Sequence, residues 1–178
     1  MKKNVLVFGL ISGAVVSTIM AIGTITLKND EGAELSNNFM MMIGYLSMLI
    51  SFSFIFVAVK NYRDKQNGGV ISFGQSFKMG LLITLIGSTM YVIMWAWVHH
   101  FYMPDFMDKY CNQIVEQARA TATAAKLEKL TQKMNEQKEM YKNPIWFTLI
   151  TYMEILPVGL IVSLITALIL KRKRAAVA

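Results

Sequence analysis

The chain has 178 residues, of which 54% are hydrophobic and 16% are charged, and its formal net charge is +7 at pH 7. Soluble domains keep about a quarter of their residues charged, so this composition excludes an ordinary soluble globular protein. The single cysteine, Cys111, also excludes an internal disulfide and a cysteine-rich metal site.

Long apolar segments account for the composition, and they lie at residues 5–27, 39–59, 77–103 and 145–170. Each contains the roughly 20 apolar residues that cross about 30 Å of hydrocarbon as a helix. The first segment exceeds the roughly 7–15 residues of a signal-peptide core, and no clean Ala-x-Ala site follows it. We therefore predict an all-α membrane protein that forms a single integral membrane domain over residues 1–178 with four transmembrane helices.

The distribution of basic residues predicts the orientation of these helices. Lys2 and Lys3 precede the first span, residues 60–78 hold four basic residues against one acidic residue, and residues 171–174 are all basic. Residues 28–38 instead hold one lysine against three acidic residues. Because cytoplasmic segments are rich in Lys and Arg, we place both termini and the second loop in the cytoplasm. The basic tail lacks interleaved aromatic residues, so we expect no nucleic-acid partner.

Small residues recur at every fourth position in three of the spans. They are Gly9, Gly13, Ser17 and Ala21 in the first, Gly80, Thr84 and Ser88 in the third, and Gly159, Ser163 and Ala167 in the fourth. Such stripes allow close approach of helix backbones. They are typical either of self-association or of packing within one four-helix bundle.

Glu154 is the acidic residue within the fourth apolar segment, and Pro157 and Gly159 follow it closely. A carboxyl group inside a membrane is costly, so we interpret Glu154 either as a functional site or as a hydrogen-bonded lock of the bundle. Pro157 should free a backbone carbonyl nearby. His99 and His100 end the third span among aromatic residues, which favours an interfacial aromatic belt. Their pairing with Glu154 is a further alternative, but these donors are too few to predict a metal site.

Residues 104–143 separate the third and fourth spans and carry apolar residues at helical spacing, which predicts amphipathic helix. One straight helix of about 38 residues would be roughly 57 Å long and would leave its far end distant from the membrane. We therefore predict an extracytoplasmic helical hairpin that turns within residues 118–125, with Thr121 or Thr123 capping its second helix. Its apolar faces should pack on each other and on the first loop, or bind a partner.

The loop between the second and third spans contains Gly68-Gly69, a turn signal, and then Ser72-x-x-Gln75, which matches a helix capping box. A phosphate-binding loop requires a Lys-Ser/Thr pair after its second glycine, and Gln75-Ser76 stand there instead. We therefore interpret the loop as a cytoplasmic re-entry turn. Its residues of interest are Tyr62, Arg63 and Asp64, which anchor the second span at the lipid headgroups, and Ser72, Phe73 and Gly74, which start the third.

Several of these pieces together resemble a known family. They are Tyr62-Arg63-Asp64, Gly69-x-Ile71-Ser72-Phe73-Gly74, Pro104-Asp105-Phe106, Tyr141-Lys142-Asn143-Pro144, and the run from Glu154 through Pro157 and Gly159 to Leu164. The set is similar to the membrane family called domain of unknown function 4199. The resemblance implies a small multi-pass protein of the bacterial inner membrane, and it implies no established activity.

Two functions follow as hypotheses. The first is a non-enzymatic scaffold, assembly or accessory subunit that uses the outer hairpin as its interaction surface. The alternative is a small transporter, channel or proton- or cation-linked sensor that uses Glu154. We expect no enzyme and no cofactor, because paired carboxylates, a nucleophile with its base and a histidine-rich metal motif are all missing. The expected partners are the lipid bilayer and either another protein or a second copy, bound through the small-residue helix faces or the hairpin.

Overall fold

The structure, a computed structural model, describes residues 1–29 and 37–172, and it describes side chains for residues 1–25 and 42–172. The helices in chain order are α1 Lys2–Asn29, α2 Asn37–Gln66, α3 Phe73–Phe101, α4 Phe106–Arg119, α5 Ala124–Lys142 and α6 Pro144–Leu170. Within the described ranges no strand is present, and one isolated β-bridge joins Ile71 to Arg172.

Four of these helices are long and apolar enough to cross a membrane: Lys2–Ile25, Met42–Gln66, Phe73–Phe101 and Pro144–Leu170. The prediction of an all-α protein with four membrane-spanning helices is therefore confirmed. Helix α3 begins directly after Ser72, as the capping signal predicts. Most of the acidic first loop and the basic residues 173 and 174 lie outside the described residues.

Two compact units make up the chain: Met1–Trp95 together with Tyr152–Ala178, and Ala96–Thr151. We refer to them as unit 1 and unit 2.

In unit 1, α1 and α3 run in the same direction and touch through glycines. A Cβ built on Gly9 would lie 2.9 Å from the Ile86 Cβ, and one built on Gly13 would lie 2.9 Å from the Met90 Cβ. The second contact lies four residues further along each helix than the first, so the two helices are parallel. The glycines leave room for the larger side chains of α3, so the two backbones approach closely.

The contact between α3 and α6 follows the same principle with the helices antiparallel. A Cβ on Gly80 would lie 2.6 Å from the Ser163 hydroxyl oxygen, and one on Gly159 would lie 3.0 Å from the Thr84 Cβ. The hydroxyl oxygens of Thr84 and Ser163 are themselves 3.3 Å apart and buried. Small residues and a hydroxyl pair thus hold these two helices together.

Helix α2 lies antiparallel to α3 and completes the contacts of that helix. A Cβ built on Gly80 would lie 3.1 Å from the Ile55 side chain. One built on Gly87 would lie 3.3 Å from the Phe52 ring. Helix α3 therefore contacts each of the other three long helices. The small-residue faces pack within one chain, as the bundle interpretation of the sequence predicts.

In unit 2, α4 and α5 pack against each other on either side of a short break at residues 120–123. Lys138 joins them, because its ammonium group donates to the Asn112 side-chain oxygen at 2.8 Å and lies 3.3 Å from an Asp108 carboxylate oxygen. Thr123 is the N-cap residue of α5, but its side chain makes no capping hydrogen bond. The break falls where the sequence predicts it, while the membrane side of these helices and their packing on the first loop stay predictions.

Substituting Gly159 by Ala should destabilise the protein by about 1–3 kcal/mol, because the added methyl group overpacks the contact with Thr84. Gly23→Ala is the matched control, since a Cβ at Gly23 meets no atom within 4 Å. Thermal melting of the purified variants measures the difference. An equal effect of the two substitutions would contradict the close approach of α6 to α3.

Cys111 should react slowly with maleimides in the folded protein, because its side chain is 0% exposed and burial raises the pKa of its thiol. The reactive thiolate therefore forms only at a higher pH than for an exposed cysteine. A Gln113→Cys, Cys111→Ala variant moves the thiol two residues along α4, to an exposed position. Its labelling should be roughly tenfold faster or more near neutral pH. Similar rates in the two proteins would show that Cys111 is accessible.

Candidate functional site

The loop between α2 and α3 reverses the chain through two glycines with left-handed backbone. Gly68 has φ of 64° and Gly69 has φ of 78°, a conformation that costs glycine little. The Gly69 N–H donates to the Arg63 carbonyl at 2.8 Å, and the Asn67 side-chain amide donates to the Val70 carbonyl at 2.6 Å. The predicted turn is therefore a structured, internally bonded loop.

This loop pairs with the chain that follows α6. The Ile71 N–H donates to the Arg172 carbonyl at 3.0 Å, and the Arg172 N–H donates to the Ile71 carbonyl at 2.8 Å. The Ile71 side chain is 1% exposed and belongs to the core of unit 1. We call residues 67–72 together with residues 170–172 the clasp. Because it joins distant parts of the chain, it fixes the ends of α2, α3 and α6 to one another.

Arg63 reinforces the clasp from the last turn of α2. Its guanidinium makes two hydrogen bonds with the neighbouring Asp64 carboxylate, at 2.7 and 3.2 Å, and donates a third to the Leu170 carbonyl at 3.4 Å. The Leu170 carbonyl ends α6 and has no donor within its own helix. Arg63 therefore caps a second helix, while Tyr62 packs half-buried against the core.

Ser72 starts α3 with the predicted capping box. Its hydroxyl accepts from the Gln75 N–H at 3.2 Å, and the Gln75 side-chain oxygen accepts from the Ser72 N–H at 3.3 Å. The capping prediction is confirmed. Phe73 is 39% exposed and its ring stacks on Phe77, and a Cβ at Gly74 would meet open space.

The beginning of α1 joins the same end of unit 1. The Gln66 side-chain amide donates to the Asn4 side-chain oxygen at 2.9 Å, and the Met1 amino group donates to the Gln66 oxygen at 3.5 Å. Asn4, Gln66 and Arg172 are contact residues of this end that no sequence motif predicted. Backbone pairing and a single amide bridge leave no pattern in the sequence that could have identified them.

Glu154 lies on the exposed face of α6, and among the described residues it makes no hydrogen bond or ion pair. Pro157 is also exposed, whereas Gly159 is buried against Thr84. The hydroxyl bridge between α3 and α6 at this level is made instead by Thr89 and Tyr152, whose oxygens are 2.8 Å apart. The role of Glu154 as a functional site or a lock stays a prediction.

His99 and His100 belong to unit 2 and have aromatic neighbours there. The His99 ring lies 5.4 Å from the Tyr141 ring and 5.3 Å from the Phe147 ring, and the His100 ring lies 4.8 Å from the Phe101 ring. These contacts agree with the aromatic-belt interpretation. Pairing of either histidine with Glu154 stays a prediction. In the part of the chain with described side chains, no three His, Cys, Asp or Glu residues are grouped as metal ligands would be.

A shallow and largely open depression runs along one face of α5. Its described lining residues are Ala124, Leu127, Glu128, Thr131, Gln132, Asn135, Glu136, Glu139 and Met140. We call this surface the α5 groove. The charged residues among this lining are all acidic, although Lys142 pairs with Glu139 at 2.6 Å near one end. The exposed Lys129 and Lys133 border this surface, because they stand seven residues before Glu136 and Met140 on the same side of the helix, whereas Lys126 lies farther round α5.

Substituting Ile71 by Ala should destabilise unit 1 by about 2–5 kcal/mol, because it leaves a cavity under the clasp. Val70→Ala is the control, since Val70 is only half-buried and its backbone bond to Asn67 does not depend on its side chain. Thermal melting measures the loss, and hydrogen exchange should become faster at the amides of residues 71 and 172. Equal stability of the two variants would show that the clasp is not part of the core.

Comparison with known proteins supports the resemblance that the sequence pieces indicate. No curated protein and no solved structure matches the chain. A family model described as protein of unknown function DUF4199 matches residues 7–172, which is nearly the whole chain and includes the clasp, Glu154 and the α5 groove. The chain therefore belongs to the DUF4199 family, whose function is unknown.

Proposed function

We propose that this integral membrane protein is a non-enzymatic scaffold, assembly or accessory subunit of a bacterial inner membrane, and that it binds a partner protein through the α5 groove. Its four apolar helices provide the membrane attachment. Unit 2 provides the paired helices α4 and α5, whose exposed face is the candidate binding surface.

We propose further that both termini are cytoplasmic and that α4 and α5 lie on the opposite side of the membrane. The contacts of Met1 with Gln66, and of Ile71 with Arg172, support a common side for the two chain ends. The basic residues near these contacts support the cytoplasmic assignment, because cytoplasmic segments carry an excess of Lys and Arg.

The α5 groove is the observation that carries the proposal. Leu127 and Thr131 are half-buried along it and Met140 is 36% exposed, so its floor offers apolar contact area. Glu128, Glu136 and Glu139 add negative charge beside this floor. Charge complementarity favours an amphipathic helix with basic residues as the partner segment, because its apolar side would fill the groove while its charges meet the glutamates.

A transporter, channel or sensor that uses Glu154 is the alternative function. Ionisable groups that serve a translocation path face the interior of a bundle or a water-filled cavity. Glu154 lies on the exposed face of α6, so a path through the interior of one copy would gain no carboxyl group from it. This position makes the scaffold the better-supported function.

Reversing three charges in the groove, with Glu128→Lys, Glu136→Lys and Glu139→Lys, should abolish binding of the partner through charge repulsion. The matched control reverses Lys109, Arg119 and Lys126 to Glu, at exposed positions that do not line the groove. Gentle solubilisation of native membranes followed by quantitative co-purification measures partner recovery. We expect a stoichiometric partner with wild type and control, and at least a roughly tenfold loss with the groove variant.

Thermal melting should first show that both variants fold like the wild type. Equal recovery of the partner with the groove variant and the control would assign binding to another surface. Absence of any stoichiometric partner from wild-type membranes would contradict the scaffold proposal itself.

A further inference from the structure

Glu154 occupies an unusual position for a carboxyl group in a membrane protein. It lies ten residues after the start of α6 at Pro144, or about 15 Å along the helix, and it faces outward from unit 1. A carboxyl group exposed to hydrocarbon without a partner costs several kcal/mol. The single chain supplies no hydrogen-bond partner for Glu154 among its described residues. A second molecule therefore has to supply that partner.

A hydrogen-bond acceptor lies next to it on the same helix. Pro157 has no N–H, so it cannot donate to the carbonyl four residues earlier, which belongs to Met153. The Met153 carbonyl points along the helix toward Pro157, and both residues are exposed, so this turn of α6 faces outward. Neighbouring positions of α6 thus present one free carbonyl acceptor and one carboxyl group that donates when it is protonated.

An apolar stripe continues this surface toward the end of α6. Pro157, Ile161, Ile165 and Leu168 follow Glu154 at helical spacing and are all exposed. Their spacing of three and four residues places them on one face of the helix. This face can therefore lie against another membrane helix along much of its length.

We propose that two copies of this protein associate through this face of α6, with the protonated Glu154 of each copy donating to the Met153 carbonyl of the other. A two-fold axis brings residue i of one copy to residue j of its partner and the reverse, so it requires a self-complementary surface. The pairing of Glu154 and Met153 is such a surface, because donor and acceptor are adjacent. Two copies satisfy both carboxyl groups and both free carbonyls at once.

A second copy is the occupant that this chemistry favours. A different protein would have to supply a donor or a cation at mid-membrane depth, whereas the chain itself already carries the required donor and acceptor. The α5 groove belongs to unit 2, so the association through α6 does not rest on the proposed function of that groove.

The test is the dilution of donor- and acceptor-labelled protein in liposomes, with the dyes attached enzymatically to a C-terminal tag. Energy transfer between wild-type copies should fall as added lipid dilutes the protein. The midpoint of this fall gives the protein density in the bilayer at which half of the copies are associated. Glu154→Leu should raise the density at half-association at least tenfold, because it removes the hydrogen-bond donor. Glu154→Gln should stay within about threefold of the wild type, because an amide N–H also donates to a carbonyl.

Leu6→Ala is the control, since Leu6 is an exposed side chain on α1 and should not change the association. Purified protein is used alone, and the groove variant with reversed charges should associate like the wild type. This separates the failure of one proposal from the failure of the other. A wild type that is monomeric at every density, or a Glu154→Leu variant that associates like the wild type, would overturn the inference.

A second measurement uses the exposed position of Met153. A Met153→Cys, Cys111→Ala variant should form a covalent dimer with a short thiol cross-linker, whereas Leu6→Cys, Cys111→Ala should not. Equal cross-linking of the two variants would indicate random collision and would contradict the proposed interface. Thermal melting of each variant confirms that it is folded before the comparison.

Discussion

The close approach of α3 to its three neighbours is the constraint on which unit 1 depends. Apolar side chains gain little by leaving lipid for the interior of a membrane bundle, so backbone proximity and dense packing have to supply the association. Glycines at the contacts with α1 and α6 remove the side chains that would hold the backbones apart. The hydroxyl pair of Thr84 and Ser163 adds a polar contact that lipid cannot offer. The same stripes therefore have little surface left for binding a second copy.

The clasp provides hydrogen-bond partners for the backbone at one end of the same bundle. Helix ends leave backbone carbonyls and N–H groups without intrahelical partners, and these groups need partners where the chain packs tightly. Arg63 donates to the end of α6, and Ser72 caps the start of α3. The pairing of Ile71 with Arg172 joins the loop between α2 and α3 to the residues that follow α6. Arg63, Ile71 and Ser72 belong to the sequence pieces that resemble the family. Their contacts in and beside the clasp give them a structural role. Their presence in a motif does not require a ligand.

The parts of this architecture that could be predicted from sequence are those that local chemistry determines. Apolar length predicted the four spans, the Ser72 and Gln75 pair predicted the start of α3, and the Ala-Thr run predicted the break between α4 and α5. The parts that could not be predicted depend on which residues meet in space. The backbone bridge at Arg172 involves no side chain, and the bond between Asn4 and Gln66 joins residues 62 positions apart. Sequence spacing likewise grouped Glu154, Pro157 and Gly159, although helical geometry turns Gly159 toward α3 and the other two outward.

That outward direction changes how the intramembrane carboxyl group has to be understood. A buried Glu154 would have been explained by a neighbour within the bundle, and the bundle would have been chemically complete. The helices of the bundle instead pack through glycines, serines and threonines, and α6 leaves a donor and a free carbonyl together on its surface. Hydrocarbon cannot satisfy either group, and water is scarce at that depth. A single copy in a bilayer therefore carries an unmet hydrogen-bonding requirement, and the geometry of α6 allows an identical copy to meet it.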